Sequence, residues 1–196
     1  MGMKEAFETF FEEMDRNSMD AWGELTKSPY MGGGALEGLF LLDTIDKGGY
    51  AVWRPRLQEE KVSFEKVEEE LGFKINPQIK EFLNTYWFRR LDAKVVISGE
   101  EIYFSLDPII PGADLLELVK SKFNYDGAHY LKDNNYFLMG TYCNVDGIDS
   151  YLVHANNETG EVTAVEVGDR CSIKLADSIE ELLMTMKGKW KITASH

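Results

Sequence analysis

Cysteine is nearly missing from this chain of 196 residues, with only Cys143 and Cys171 present. Neither lies in a CxxC or CxxxC pair, so a disulfide framework is excluded, and both read as small buried hydrophobes of a reducing compartment. Histidine is equally sparse: His129, His154 and His196 stand far apart, and no HxH, HxxxH or Cys-His pair offers local metal-ligand spacing. No window approaches eighteen uninterrupted apolar residues, and the N-terminus has no basic region followed by an apolar run. A soluble, cytoplasmic protein is therefore expected. Basic residues are also in the minority. Twenty-one Lys and Arg face thirty-four Asp and Glu, a formal charge of −13 that repels nucleic-acid phosphate. The densest basic group, Lys187, Lys189 and Lys191, is too small to reverse this. What the chain does hold is 44% hydrophobic and 12% aromatic residues, the composition of one folded globular domain.

The strongest local code runs from Phe64 to Phe88. Phe64, Val67 and Leu71 recur at helical spacing, and Gly72 follows where a left-handed C-terminal cap suits a residue without Cβ. Asn76-Pro77 then reads as a helix start, with Asn as N-cap and Pro at the first helical position. Ile79, Phe82, Leu83 and Tyr86 form the apolar stripe of that second helix. Glu68, Glu69 and Glu70 are contiguous, point in different directions, and read as a solvated face.

Around this stretch the pattern predicts an N-terminal helix over residues 4–25 and a glycine-rich loop over 27–38. Gly32-Gly33-Gly34 is not a phosphate loop, because the closing Lys-Ser/Thr and the preceding strand are missing. Leu39-Phe40-Leu41-Leu42 reads as a buried strand with residues 49–53 as its hairpin partner, and Pro55 ends the sheet. Residues 94–97 and 102–106 form a second hairpin turned by Ser98-Gly99-Glu100, and a third main helix spans 113–123. Strands follow at 136–142, 150–154, 161–167 and 171–175, then a closing helix over 178–186 with Ser178 and Glu181 as a capping box. The tail is 187–196. The sum is α+β: a mainly antiparallel sheet flanked by several helices in a single domain, its core over 39–186.

Chemistry is thinly represented. His154 ends a strand and reads as structural; pairing it with Cys143 as base and nucleophile would give a small hydrolase, but no local motif supports this. Asp146 and Asp149 in NVDGID lack the rest of a calcium loop and read as a hairpin turn. No catalytic residue, metal ligand or cofactor site is assigned. The chain reads as a non-enzymatic binding protein.

Several stretches together resemble the Syd family of SecY-interacting proteins, within the SUKH superfamily. They are Asp20-Ala21-Trp22, Tyr50-Ala51-Val52-Trp53-Arg54-Pro55, and Phe64-Glu65-x-Val67-Glu68 leading to Leu71-Gly72-Phe73-x-Ile75-x-Pro77-x-Ile79. Phe82, Thr85, Tyr86 and Phe88 continue the likeness, as do Phe137-Leu138-Met139-Gly140-Thr141, Asn157-x-Thr159-Gly160-Glu161-Val162, and Ala176, Ser178, Glu181 and Leu182. The likeness runs from Ala6 to Met186; the glycine-rich loop and the tail depart from it. The resemblance implies a monomeric or weakly associating protein, peripheral on the cytoplasmic face of the inner membrane. There it grips basic cytoplasmic loops of the SecY translocon through an acidic face. Asp43, Asp46, Glu100, Glu101, Asp107 and Asp114, in or beside loops at sheet ends, are the candidate contact residues. The alternative is an immunity protein of the same superfamily that neutralises a basic bacterial toxin.

Overall fold

The computed structural model describes residues 2–124, 135–145, 148–168 and 172–188. His129, Asp146, Cys171 and His196 lie outside them, as do the side chain of Asp149 and the tail from Lys189.

Helix α1 (Met3–Trp22) buries Met3, Ala6, Phe7, Phe10, Phe11 and Met14, the three-and-four spacing of one helical face. It stops three residues short of the prediction because Gly23 turns left-handed at φ 69°, its N–H donating to the Met19 carbonyl at 2.9 Å. Phe7 is the centre of an aromatic core: its ring lies 5.6 Å from those of Phe11 and Phe82 and 5.5 Å from Tyr86 and Phe88.

The next segment departs most from expectation. Strand β1 (Lys27–Pro29) occupies the start of the predicted loop and pairs antiparallel with β2 (Tyr50–Val52). Leu39 to Leu42 is not a strand. Phe40 makes a single bridge to Trp53, flanked by 3-10 turns at Glu37–Leu39 and Leu42–Thr44. Only Leu39 and Phe40 of that apolar run are buried, whereas Leu41 and Leu42 face solvent. An apolar run signals a buried strand only if both faces are covered, and here one is not.

Strand β3 (Arg56–Leu57) pairs with β4 (Tyr86–Trp87), so Tyr86 closes the predicted stripe from a strand rather than from the helix. Between them lie α2 (Glu65–Leu71) and α3 (Pro77–Thr85). Gly72 caps α2 at φ 78°, and the Asn76 side chain accepts from the Gln78 N–H at 2.9 Å. Glu68 corrects the solvated-face reading, being 4% exposed. The Lys74 ammonium and the Ile75 N–H each donate to its carboxylate at 2.9 Å, and Lys80 pairs with it as well. Burial alone would push this carboxyl up, but the hydrogen bonds from Lys80, Lys74 and Ile75 outweigh it and hold the pKa at about 2.

The main sheet contains β5 (Leu91–Ile97), β6 (Glu100–Leu106), β7 (Tyr136–Val145), β8 (Ile148–Asn156), β9 (Val162–Glu166), β10 (Ser172–Ala176) and β11 (Lys187–Gly188). Its order is β10-β9-β8-β7-β6-β5-β11, and every pairing is antiparallel. Ser98 and Gly99, at φ 53° and 90°, make the tight primed turn between β5 and β6. At Gly140 the β6 and β7 backbones approach so closely that a Cβ would lie 2.0 Å from the Ser105 carbonyl oxygen. Helix α4 (Leu115–Phe123) packs on β7, and α5 (Ile179–Thr185) joins the two sheet edges. Seven flat strands would span about 29 Å, farther than α5 and its links reach. The sheet therefore curls until Leu175 of β10 and Val95 to Ile97 of β5 line one cleft beneath α5. Lys187 and Gly188, placed in the tail by sequence, complete β5's edge. No helix among the described residues is long and apolar enough to cross a membrane.

Candidate functional site

The six carboxylates expected to form one acidic face are spread over several elements. Glu100 and Glu101 open β6 at the hairpin tip, whereas Asp107 follows its far end, about 23 Å away at ~3.3 Å per residue. Most of the six also have internal work. Asp114 caps α4, accepting from the Leu116 and Glu117 N–H groups at 3.0 and 3.2 Å. Asp107 pairs with Lys122 and accepts from the Thr141 N–H and hydroxyl at 3.1 and 2.8 Å. Glu101 is paired with Lys94 and the Tyr103 hydroxyl, and these hold its carboxyl below the usual range. Asp46 shapes its own turn: the Tyr50 and Gly48 amides donate to it at 3.0 and 2.9 Å, Lys27 lies 3.4 Å away, and its pKa is lowered accordingly. Asp43 and Glu100 remain exposed without an internal partner among the described residues.

Nor does the structure bring Cys143 and His154 together. Tyr151, Val153 and Ala155 of β8 face the main core with Cys143, and strand alternation turns His154 to the other face of the sheet. Burial pushes the Cys143 thiol up to about 12, far from a reactive thiolate. His154 is 1% exposed, beside Leu138 of β7 and Thr163 of β9. Burial lowers its pKa to about 4. Among the described residues, no group of three or more His, Cys, Asp and Glu is placed to hold a metal ion.

A different region stands out. Seven of the twelve exposed large apolar side chains among the described residues fall within residues 19–50: Met19 and Trp22 at the end of α1, then Met31, Leu41, Leu42, Ile45 and Tyr50 on the loops and β2. That segment is only about a sixth of the chain, so the concentration is a property of the region. It is also acidic, with Asp20, Glu24, Glu37, Asp43 and Asp46 against Lys27 and Lys47. This lobe consists of two three-residue strands and two 3-10 turns, and it meets the main sheet in a groove of about 240 Å³.

Local chemistry builds the groove. After Gly23 reverses the chain, the Ser18 hydroxyl donates to the Glu24 carbonyl at 2.8 Å, folding the start of the lobe back along α1. Trp53 forms a buried wall at 3% exposure, while Trp22 at the rim is 57% exposed. Arg90, Leu91 and Asp92, entering β5, form the opposite side. Asp92 accepts from Ser105 at 2.5 Å and pairs with Arg90 at 3.0 Å, and Glu24 pairs with Lys27 at 2.8 Å. The Thr26 hydroxyl oxygen is buried and unpartnered. Sequence patterning pointed to Trp22 as part of a motif, but nothing in it placed Trp53, Asp92 and Thr26 beside it.

Compared with models of known protein families and with curated proteins, the chain matches none.

Proposed function

We propose that the protein is a non-enzymatic binding module that docks a basic protein partner on the 19–50 lobe. The observation that carries this reading is the concentration of exposed Met31, Leu41, Leu42, Ile45 and Tyr50 in one segment that also holds Asp20 and Asp43, neither with an internal partner among the described residues. Mixed apolar anchors and a charged rim are the composition of a protein interface. The charge of −13 favours a basic partner and steers its approach. The partner that the Syd resemblance implies is SecY, gripped by its basic cytoplasmic loops, with the protein peripheral on the inner membrane through that contact alone.

The test is capture. Immobilised protein is exposed to detergent-solubilised membranes of its own host and washed in salt steps. SecY should be retained at low salt and released between about 0.1 and 0.5 M, where the screening length shrinks to a few ångströms. A Leu42→Lys, Asp43→Lys variant should fail to retain it. Absence of SecY, or equal retention by that variant, overturns the reading; a basic toxin held in its place moves the function to immunity.

A further inference from the structure

We infer that the groove between Trp22 and Trp53 is a receptor for an arginine side chain presented by the basic partner. The inference rests on the binding-module reading and adds to it which chemical group is recognised. The groove offers aromatic surface chiefly from Trp22, 57% exposed at the rim, with the buried Trp53 behind it as a wall. Beside that surface lie acceptors: the carboxylates of Glu24 and Asp92 and the buried, unpartnered hydroxyl oxygen of Thr26. A guanidinium matches both halves of this lining, because its plane stacks on an aromatic face while its edge donates several hydrogen bonds in a fixed fork. Lysine presents a compact, strongly hydrated point charge and satisfies only the second half.

The groove already handles cations of this kind. Arg90 Nε lies 3.0 Å from Asp92 and Lys27 lies 2.8 Å from Glu24. The Arg90 side chain is 63% exposed and that of Glu24 58%, so both pairs are surface pairs that contribute little and exchange readily. An incoming arginine takes over carboxylates whose present partners can swing to water. Lys27 keeps Asp46, its second partner at 3.4 Å, when Glu24 is withdrawn. Asp92 is held in place independently by the Ser105 hydroxyl. The volume of about 240 Å³ suits one long side chain rather than a folded segment. The occupant is thus a single arginine on an exposed loop, with neighbouring residues of that loop resting on Met19 and the rim.

The experiment follows the indole N–H resonances of the full chain during titration with three capped tripeptides, Gly-Arg-Gly, Gly-Lys-Gly and Gly-citrulline-Gly. The arginine peptide should shift the Trp22 and Trp53 signals in a saturable way. The lysine and citrulline peptides should bind about tenfold more weakly. Trp22→Ala and Asp92→Asn should each weaken the arginine peptide about tenfold while the remaining amide spectrum stays native. Equal shifts from all three peptides, or none at the two tryptophans, overturn the inference. The two readings fail separately. If SecY is captured but Trp22→Ala captures it equally well, the groove assignment falls and the binding module stands; if the arginine peptide binds and SecY is not captured, the choice of partner falls and the groove stands.

Discussion

The body of the molecule and its 19–50 lobe are built on opposite terms. In the body, large apolar side chains are buried and the buried Glu68 is neutralised: Phe7 touches four aromatic rings, and the Glu68 carboxylate accepts from two lysines and a backbone amide. In the lobe, Met31 is 91% exposed, Leu42 48% and Ile45 42%, and the sheet beneath them has two strands of three residues. A two-stranded ribbon is marginal by itself, so the lobe borrows its stability from Phe40 and Trp53 anchored in the body. The difference separates what folding requires from what folding leaves unused, and the unused apolar surface is where the proposed partner would gain by burying it.

That contrast can be broken most severely at Gly140. A Cβ there meets the Ser105 carbonyl 2.0 Å away, and a backbone atom cannot rotate aside. Gly140→Ala should cost about 3 kcal/mol or more, seen as a fall in urea midpoint, or leave no folded protein.

Glu68→Gln is next. Its carboxyl is held at about 2 in the folded chain against 4.5 when free, so its contribution is complete above pH 4.5 and lost as pH falls toward 2. A depression of that size corresponds to about 3 kcal/mol at neutral pH. The variant should lose that amount at pH 7, and its stability should no longer decline over that acid window. An unchanged denaturation profile would remove Glu68 from the account.

His154 gives a second window, nearer neutrality. Its folded pKa of about 4 lies below the free value of 6.5, so the unfolded chain takes up the proton first. Stability is full above pH 6.5 and falls as pH drops through 4. His154→Leu places an apolar group beside Leu138, Leu152 and Val165 in place of a buried imidazole. It should be about 3 kcal/mol more stable than the parent near pH 4, with thermal melts across pH 4 to 7 as the check. Parallel profiles for both proteins would contradict this.

The smallest stability effect belongs to the lobe and sharpens the comparison. Leu42→Ser with Ile45→Ser should change unfolding free energy by no more than about 0.5 kcal/mol per site. Partner capture should nevertheless be lost. Substitutions that unfold the protein as strongly as body variants would mean that the lobe's surface serves the fold.

Local codes in the sequence carried much of the body. Asn76-Pro77, Gly72, Ser98-Gly99 and Ser178 each act within a few residues of themselves, and each does in the structure what its chemistry dictates. What depended on distant pairing was hidden. The β1 and β2 strands find each other across more than twenty residues, and Lys187 joins β5 opposite Lys94. Glu68 looks like Glu69 and Glu70 in sequence, and only the turn that swings Lys74 and Lys80 over it distinguishes it. The internal roles of the candidate carboxylates were hidden for the same reason: Asp114, Asp107 and Asp46 stand at element ends, and local amides and lysines hold them. The groove joins residues from α1, β1, Trp53 and the start of β5, which no single sequence window contains.

The most direct test of the lobe as docking surface is amide hydrogen exchange of the protein alone and bound to solubilised SecY. Docking on the lobe should slow exchange across residues 19–50 and at Arg90 to Asp92, with the hairpin tip at Glu100 and Glu101 unchanged. Protection confined to that tip, with the lobe exchanging as in the free protein, would contradict it.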